Sequence, residues 1–237
     1  MKPRLLDLYC CEGGASRGYE LAGFDVTGVD LFTDFSQKRY PYRSHKSDAV
    51  AFVREYGYLF DAIHASPPCQ HASAGTRAMR ARGDNRHPAL IEPTRDALDE
   101  LGKPYVIENV KGAALRDPLW LCGTMFDLHA VDDDGTPLEM WRHRGFEASV
   151  PLTAPGPCRH HAHSTQVAGS YGGARRDKVE AREIRGGGYV PSKQVQSSLL
   201  GIDWMTERGM HQSLPPAYTE WVGGQLMAAL DRQQVAA

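Results

Sequence analysis

Short apolar runs alternate with stretches of helical periodicity through the first 125 residues. LLDLYC (5–10) has the pattern of a buried strand, and ASRGYELAGF (15–24) that of a helix. DVTGVDLF (25–32) predicts the next strand, AVAFVREYG (49–57) a helix and FDAIHAS (60–66) a third strand. EPTRDALDELG (92–102) predicts a helix ending at Gly102, and PYVIENV (104–110) a fourth strand. Strand and helix in alternation imply an α/β fold with a doubly wound parallel sheet. Ligands of such sheets bind beyond the C-terminal ends of the strands. After Leu128 the texture changes. DDDGTP (132–137) is a polar turn joining two strands, and residues 150–190, rich in Gly, Pro, His and Arg, predict a small irregular lobe. Helical patterning returns over 204–233.

Composition narrows the class. A chain of 237 residues suits one large domain, or one domain carrying a small lobe. With 41% hydrophobic and 24% charged residues, disorder, collagen and coiled coil are excluded. No stretch approaches the roughly 18 apolar residues of a membrane span, so no membrane partner is expected. Asp7 interrupts the only apolar run near the N-terminus, which makes a poor secretory signal. Five cysteines without framework spacing point to free thiols in a reducing, cytoplasmic compartment. The net charge of −2 hides an asymmetry, because residues 142–185 hold eight Lys/Arg against four acids. A basic lobe on an acidic body can grip a polyanion.

The strand ends carry the candidate chemistry. The first predicted strand runs into Cys10-Cys11-Glu12-Gly13-Gly14, whose glycines permit a tight turn and close approach to a ligand. The second ends at Asp30, an acid able to accept hydrogen bonds from ribose hydroxyls. G-x-G-x-x-G is absent, and the carboxylate of Glu12 would repel a pyrophosphate. These residues favour a nucleoside cofactor without phosphates, such as S-adenosylmethionine, over a nicotinamide dinucleotide. The third strand runs into Ser66-Pro67-Pro68-Cys69-Gln70, and the fourth ends Glu108-Asn109-Val110. Adjacent parallel strands would bring Cys69 and Glu108 to one edge, where a thiol and an acid can combine nucleophilic attack with proton delivery.

DLYCCEGGASRGYELAGFDVTGVD, SPPCQ, PYVIENV and LEMWRHRGFE occur in that order. Together they resemble the cofactor loop, nucleophile loop, Glu-Asn-Val motif and Gln-x-Arg-x-Arg segment of the DNA (cytosine-5)-methyltransferase family. LCGTMFDL and LPPAYTEWVGGQL resemble lesser segments, and the likeness covers residues 4–147 and about 200–230. It implies a class I, Rossmann-like, S-adenosylmethionine-dependent methyltransferase fold. Residues 1–147 would be the catalytic domain, 148–195 a small target-recognition lobe and 196–237 a C-terminal return to the catalytic domain. The implied partner is double-stranded DNA and the implied state a monomer, with a size like that of orphan, phage-like members. Four departures stand out: Cys11 replaces a loop glycine, Glu12 a small residue, Met140 the Gln of the fourth motif, and Pro216-Ala217-Tyr218 the Gly-Asn-Ser type of final segment.

The resemblance assigns roles by position. Cys69 would add to C6 of a flipped cytosine and Glu108 would hydrogen-bond or protonate N3. Asn109 would hold that motif, and Arg144 with Arg142 would hold O2 and orient Glu108. Around the cofactor, Tyr9 would stack on adenine, Gly13 and Gly14 lie close by, and Asp30 with Leu31 take the ribose end. Asp48 with Ala49 would meet the adenine amino group, and Pro68 and Leu90 would line the pocket. Gln70, Ser73, Arg77, Arg80, Arg82 and Arg86 follow the nucleophile and suit contacts to DNA. Arg175, Arg176, Arg182 and Arg185 could touch phosphates or guanine edges.

Cys158-Arg159-His160-His161-Ala162-His163 contains zinc-ligand types. Structural zinc takes four ligands, usually from two knuckles, and no second Cys/His pair stands nearby in the chain, so a polar DNA-facing loop without metal is expected. Three other readings are compatible with the residues: the same fold acting on RNA or transferring a modified group, a non-catalytic DNA-binding homologue, and a nucleotide-dependent oxidoreductase.

Overall fold

A computed structural model describes residues 1–68, 89–160, 166–169 and 189–236. Its main sheet has seven strands. Five are parallel: β1 (Arg4–Leu8), β2 (Asp25–Asp30), β3 (Arg43–Lys46), β4 (Ala62–Ala65) and β5 (Tyr105–Asn109). Two more, β6 (Leu119–Leu121) and β9 (Arg144–Ala148), complete the sheet in the order β3-β2-β1-β4-β5-β9-β6, with β9 antiparallel to both neighbours. A second sheet is built from β7 (His129–Val131), β8 (Pro137–Met140) and β10 (Gln166–Ala168), with β8 in the middle. Its β7–β8 hairpin closes through Asp132 and Gly135, the turn expected from DDDGTP.

Alternate residues of each strand face opposite sides of the main sheet, and helices cover both. On one face Leu5, Val26, Ala62 and Val106 pack against Tyr19 of α1 (Gly14–Leu21) and against Tyr218, Val222 and Leu226 of α7 (Pro216–Ala236). The Thr219 hydroxyl donates to the Ala15 carbonyl (2.9 Å) and fastens these two helices. On the other face Leu6, Val29, Ile63 and Ile107 pack against Phe52 and Val53 of α3 (Ala49–Tyr56) and Ala97 and Leu98 of α4 (Ile91–Leu101). Asp48 caps α3 by accepting from Ala51 N, and Gly102 ends α4 in the left-handed conformation. The short helices α2 (Asp34–Arg39), α5 (Lys193–Leu200) and α6 (Glu207–Gln212) complete the described α-helices.

Arg95 of α4 forms a buried bidentate pair with Glu147 of β9, Nε to Oε1 at 2.6 Å and an amino nitrogen to Oε2 at 2.8 Å. It pins the antiparallel strand beside β5. The doubly wound sheet matches the expectation from sequence. The polar strand β3 (RSHK) lies at the sheet edge with no apolar signature, and the periodicity does not announce it.

Candidate active site

The connections from β1 run to β2 on one side, and the chain then crosses to β4 and β5 on the other. This reversal opens a crevice at the C-terminal strand ends. A cleft of about 600 Å³ lies there, walled by residues that follow β1, β2, β4 and β5, by Arg144 at the start of β9 and by one face of α6.

The loop after β1 is unusual in backbone. Tyr9 (φ 61°), Cys11 (φ 52°) and Gly13 (φ 93°) all occupy the left-handed region, which costs a side-chain-bearing residue roughly 1–2 kcal/mol. Tyr9 N donates to the Val29 carbonyl and Cys11 N to Asp30 Oδ2, both at 2.8 Å, and Gly13 N closes the turn on the Cys10 carbonyl at 2.9 Å. Cys11 thus stands, strained, where glycine would adopt the same conformation freely. Gly13 faces the Tyr40 ring and Pro41, 3.2–3.3 Å from where a Cβ would stand. A Cβ on Gly14 would overlap Ser213 and the Leu214 carbonyl, so this glycine serves helix packing and does not wall the cleft.

Glu12 is buried with its carboxylate turned toward α6. It accepts from Thr206 N and from the Thr206 hydroxyl, both at 2.7 Å, while its carbonyl accepts from Trp204 Nε1 at 2.8 Å. The acid that departs from the family pattern therefore ties the first loop to the C-terminal part of the chain, at the positive end of a helix dipole.

Of the residues read as cofactor contacts, Tyr9, Asp30, Leu31 and Pro68 line the cleft. The Tyr9 hydroxyl is held by Thr94 Oγ1 at 2.8 Å, which fixes the ring as a wall. Asp30 accepts from Cys11 N and from Leu31 N (2.7 Å), and burial pushes its carboxyl above the usual range. Leu31 is 71% exposed beside it, an uncovered apolar contact. Asp48, Ala49 and Leu90 do not line the cleft: Asp48 caps α3, Ala49 is buried in that helix and Leu90 precedes α4.

On the chemical side, Glu108 is 6% exposed at the end of β5. Arg144 Nε stands 3.0 Å from Glu108 Oε1, yet this buried oxygen lacks a well-directed hydrogen bond. Burial raises the Glu108 carboxyl above its ordinary value, and the charge of Arg144 works against that rise, as does a hydrogen bond from Ser66. Asn109 lies behind the wall: Nδ2 donates to the Pro67 carbonyl (2.8 Å) and Oδ1 accepts from Val110 N (2.9 Å). Arg142 is buried and donates to the His211 carbonyl (2.8 Å), while its own carbonyl accepts from the Tyr218 hydroxyl. Asn109 and Arg142 do not line the cleft, whereas Glu108 and Arg144 do.

Cys69, Gln70, Ser73, Arg77, Arg80, Arg82, Arg86, Arg175, Arg176, Arg182 and Arg185 lie outside the described residues. Pro68, which the structure places in the cleft wall, immediately precedes Cys69. Sequence reasoning missed the contribution of α6, which lends Arg208, His211 and Gln212 to the cleft, with Thr206 at its N-cap. It also missed the string behind Ser66: Ser66 Oγ meets His64 Nε2 (2.8 Å), and His64 Nδ1 meets the Tyr19 hydroxyl (2.9 Å).

No family model matches the chain. Over 114 residues, 46% of its length, the chain is 31% identical to the type II methyltransferase M.FnuDI of Fusobacterium nucleatum. It spans about a third of that relative's length (33%). Among solved structures, a protein assigned as a DNA modification methyltransferase encoded within a prophage (E. coli) superposes with a TM-score of 0.60 at 14% identity, covering 97% of this chain and 100% of that one. The S. pombe Dnmt2 methyltransferase gives 0.60 at 12% identity, covering 97% and 99%. The Entamoeba histolytica methyltransferase EhMeth gives 0.51 at 12%, covering 99% of each chain. The chain thus has a Rossmann-like methyltransferase fold, and these likenesses agree with the resemblance drawn from its motifs.

Proposed function

We propose that this chain is a DNA (cytosine-5)-methyltransferase, using Cys69 as nucleophile and S-adenosylmethionine as donor. The observation that carries this reading is the buried Glu108, ion-paired to Arg144 through Oε1, in the same cleft as Tyr9, Asp30 and Pro68.

The cleft fits the donor. Its volume lies within the range of small-molecule sites. Asp30 offers carboxylate oxygens to ribose hydroxyls, and Tyr9 and Leu31 offer apolar faces. S-adenosylmethionine, when bound, supplies an electrophilic methyl group. Every other contribution belongs to the chain. The target base leaves the duplex to reach the cleft. Glu108 donates to N3 of the cytosine, and its raised proton affinity keeps that proton available. Arg144 holds the carboxyl in place and offers its guanidinium to O2. The Cys69 thiolate forms a bond to C6, and the displaced π electrons enrich C5. Once C5 carries the methyl group, loss of its proton returns an electron pair that restores the C5–C6 double bond and expels the thiolate.

The partner in this reading is duplex DNA, with Gln70, Ser73 and the arginines at 77, 80, 82, 86, 175 and 176 on its phosphates and base edges. The test is mass spectrometry of nucleosides after purified chain, S-adenosylmethionine and plasmid DNA are incubated together. The expected product is 5-methyldeoxycytidine, absent with Cys69→Ser. A duplex carrying 5-fluorocytosine should trap the chain covalently at residue 69. Cofactor binding with no methylated cytosine in DNA, or full turnover by Cys69→Ser, overturns the proposal.

A further inference from the structure

Away from the cleft, four metal-ligating side chains meet at the far edge of the main sheet. The register of β6 and β9 ends with Leu121 opposite Arg144. One step further along an antiparallel ladder, Cys122 lies opposite His143. The chain after β9 then returns to this edge and adds Cys158 and His160. The ligand atoms of Cys122, His143, Cys158 and His160 all lie within 4.8 Å of one another.

We propose that Cys122, His143, Cys158 and His160 form a structural zinc site that staples the segment after β9 to the sheet edge. Two thiolates and two imidazoles are a tetrahedral donor set that suits zinc. Zinc–sulfur bonds of about 2.3 Å and zinc–nitrogen bonds of about 2.0 Å, arranged tetrahedrally, put sulfur and nitrogen roughly 3.5 Å apart. Cys122 Sγ is 3.4 Å from His160 Nε2, and Cys158 Sγ is 3.5 Å from His143 Nε2. Cys158 Sγ and His160 Nε2, both on exposed residues, are closer at 2.8 Å, and the ion would part them.

The surroundings orient these ligands as second-sphere groups do. Thr124 Oγ1 lies 3.3 Å from Cys122 Sγ and 3.6 Å from Cys158 Sγ, and it also accepts from Arg159 N (3.1 Å). Trp141 stacks flat on the His160 ring, centroids 3.9 Å apart and planes 10° from parallel. The reading of Cys158–His163 as a loop without metal is thereby revised. The missing second pair is Cys122 and His143, distant in sequence and joined across two strands. His161 and His163 lie outside the described residues. Because His143 directly precedes Arg144, the staple also anchors the strand that presents Arg144 to Glu108.

The test uses the full chain, loaded with zinc and dialysed against zinc-free buffer. Elemental analysis should find about one zinc per chain. Cobalt loading should give the visible bands of a tetrahedral thiolate site, and zinc should raise the unfolding temperature. His160→Ala and Cys158→Ala should each weaken zinc at least about tenfold and abolish that rise. Wild-type stoichiometry and the cobalt spectrum do not depend on either variant folding. Zinc-free wild type after loading, octahedral cobalt, or a Cys122–Cys158 disulfide in the protein as purified overturns the proposal.

Discussion

Asn109 Nδ2 donates to the Pro67 carbonyl at 2.8 Å, which locks the C-terminal end of β5 to the loop that leaves β4. This bond sets the spacing between the segment ending in Pro68 and the carboxyl of Glu108. Asn109→Asp removes the donor and sets a carboxylate against a carbonyl in a site where Asn109 is 1% exposed. It should destabilise the fold by about 1–3 kcal/mol in urea unfolding. Single-turnover methylation should slow more than S-adenosylhomocysteine affinity weakens, because Tyr9, Asp30 and Leu31 stand on other strands' ends and only Pro68 adjoins this bond. Equal losses of both would show a general structural role instead.

Glu108→Gln keeps size and a donor but gives up the transferable proton. Methylation should slow by at least ~10²-fold in a single turnover. Arg144→Met removes the charge that holds the Glu108 proton affinity down. The Glu108 carboxyl then rises further, so the limb of the pH–rate profile that reports its ionisation should move to higher pH. An unmoved limb would show that the limb belongs to another group.

Cys11 occupies φ 52°, where a Cβ is strained. Cys11→Gly should therefore be neutral or stabilising by up to about 1 kcal/mol, since relief of strain competes with a more flexible unfolded chain. Cys11→Val, β-branched in the same conformation, should cost about 2 kcal/mol. Urea midpoints at constant m-value decide the matter, and a Cys11→Gly variant weaker than Cys11→Val would refute the strain argument.

The central strands were legible because burial on both faces makes most of their positions apolar, and their ends carried Asp30, Pro68 and Glu108 into one cleft. Where the sequence reading fell short, the cause is long-range pairing. β3 is a polar edge strand whose neighbour supplies its order. Glu12 looked like a ligand-facing charge, and only the return of Thr206 shows its true partner. Asp48 reads from position toward the cofactor; in the fold one of its carboxylate oxygens accepts from Ala51 N and caps α3. Cys122 and His143 lie 21 residues apart and meet only because β6 pairs with β9.

Two buried groups beneath the site should pull the pH dependence of this protein's stability in opposite directions. Asp7 accepts from the Ser16 hydroxyl, and burial pushes its carboxyl from 3.8 up to about 7. Its contribution is full below about pH 4 and is lost as pH rises toward 7, because the folded state prefers the protonated acid. His64 runs the other way, since burial takes its imidazole from 6.5 down to about 3. Its contribution is full above about pH 6.5 and is lost as pH falls, because the unfolded chain takes the proton first. Between about pH 4 and 6.5 the two slopes oppose, each at most about 1.4 kcal/mol per pH unit. Asp7→Asn should expose the histidine slope, so that the variant loses stability on acidification from pH 6.5 faster than wild type. His64→Gln should expose the opposite slope and lose stability as pH rises from 4 to 7. Urea unfolding at half-unit pH steps reads both, and parallel curves for wild type and the two variants would mean that neither group titrates as its burial requires.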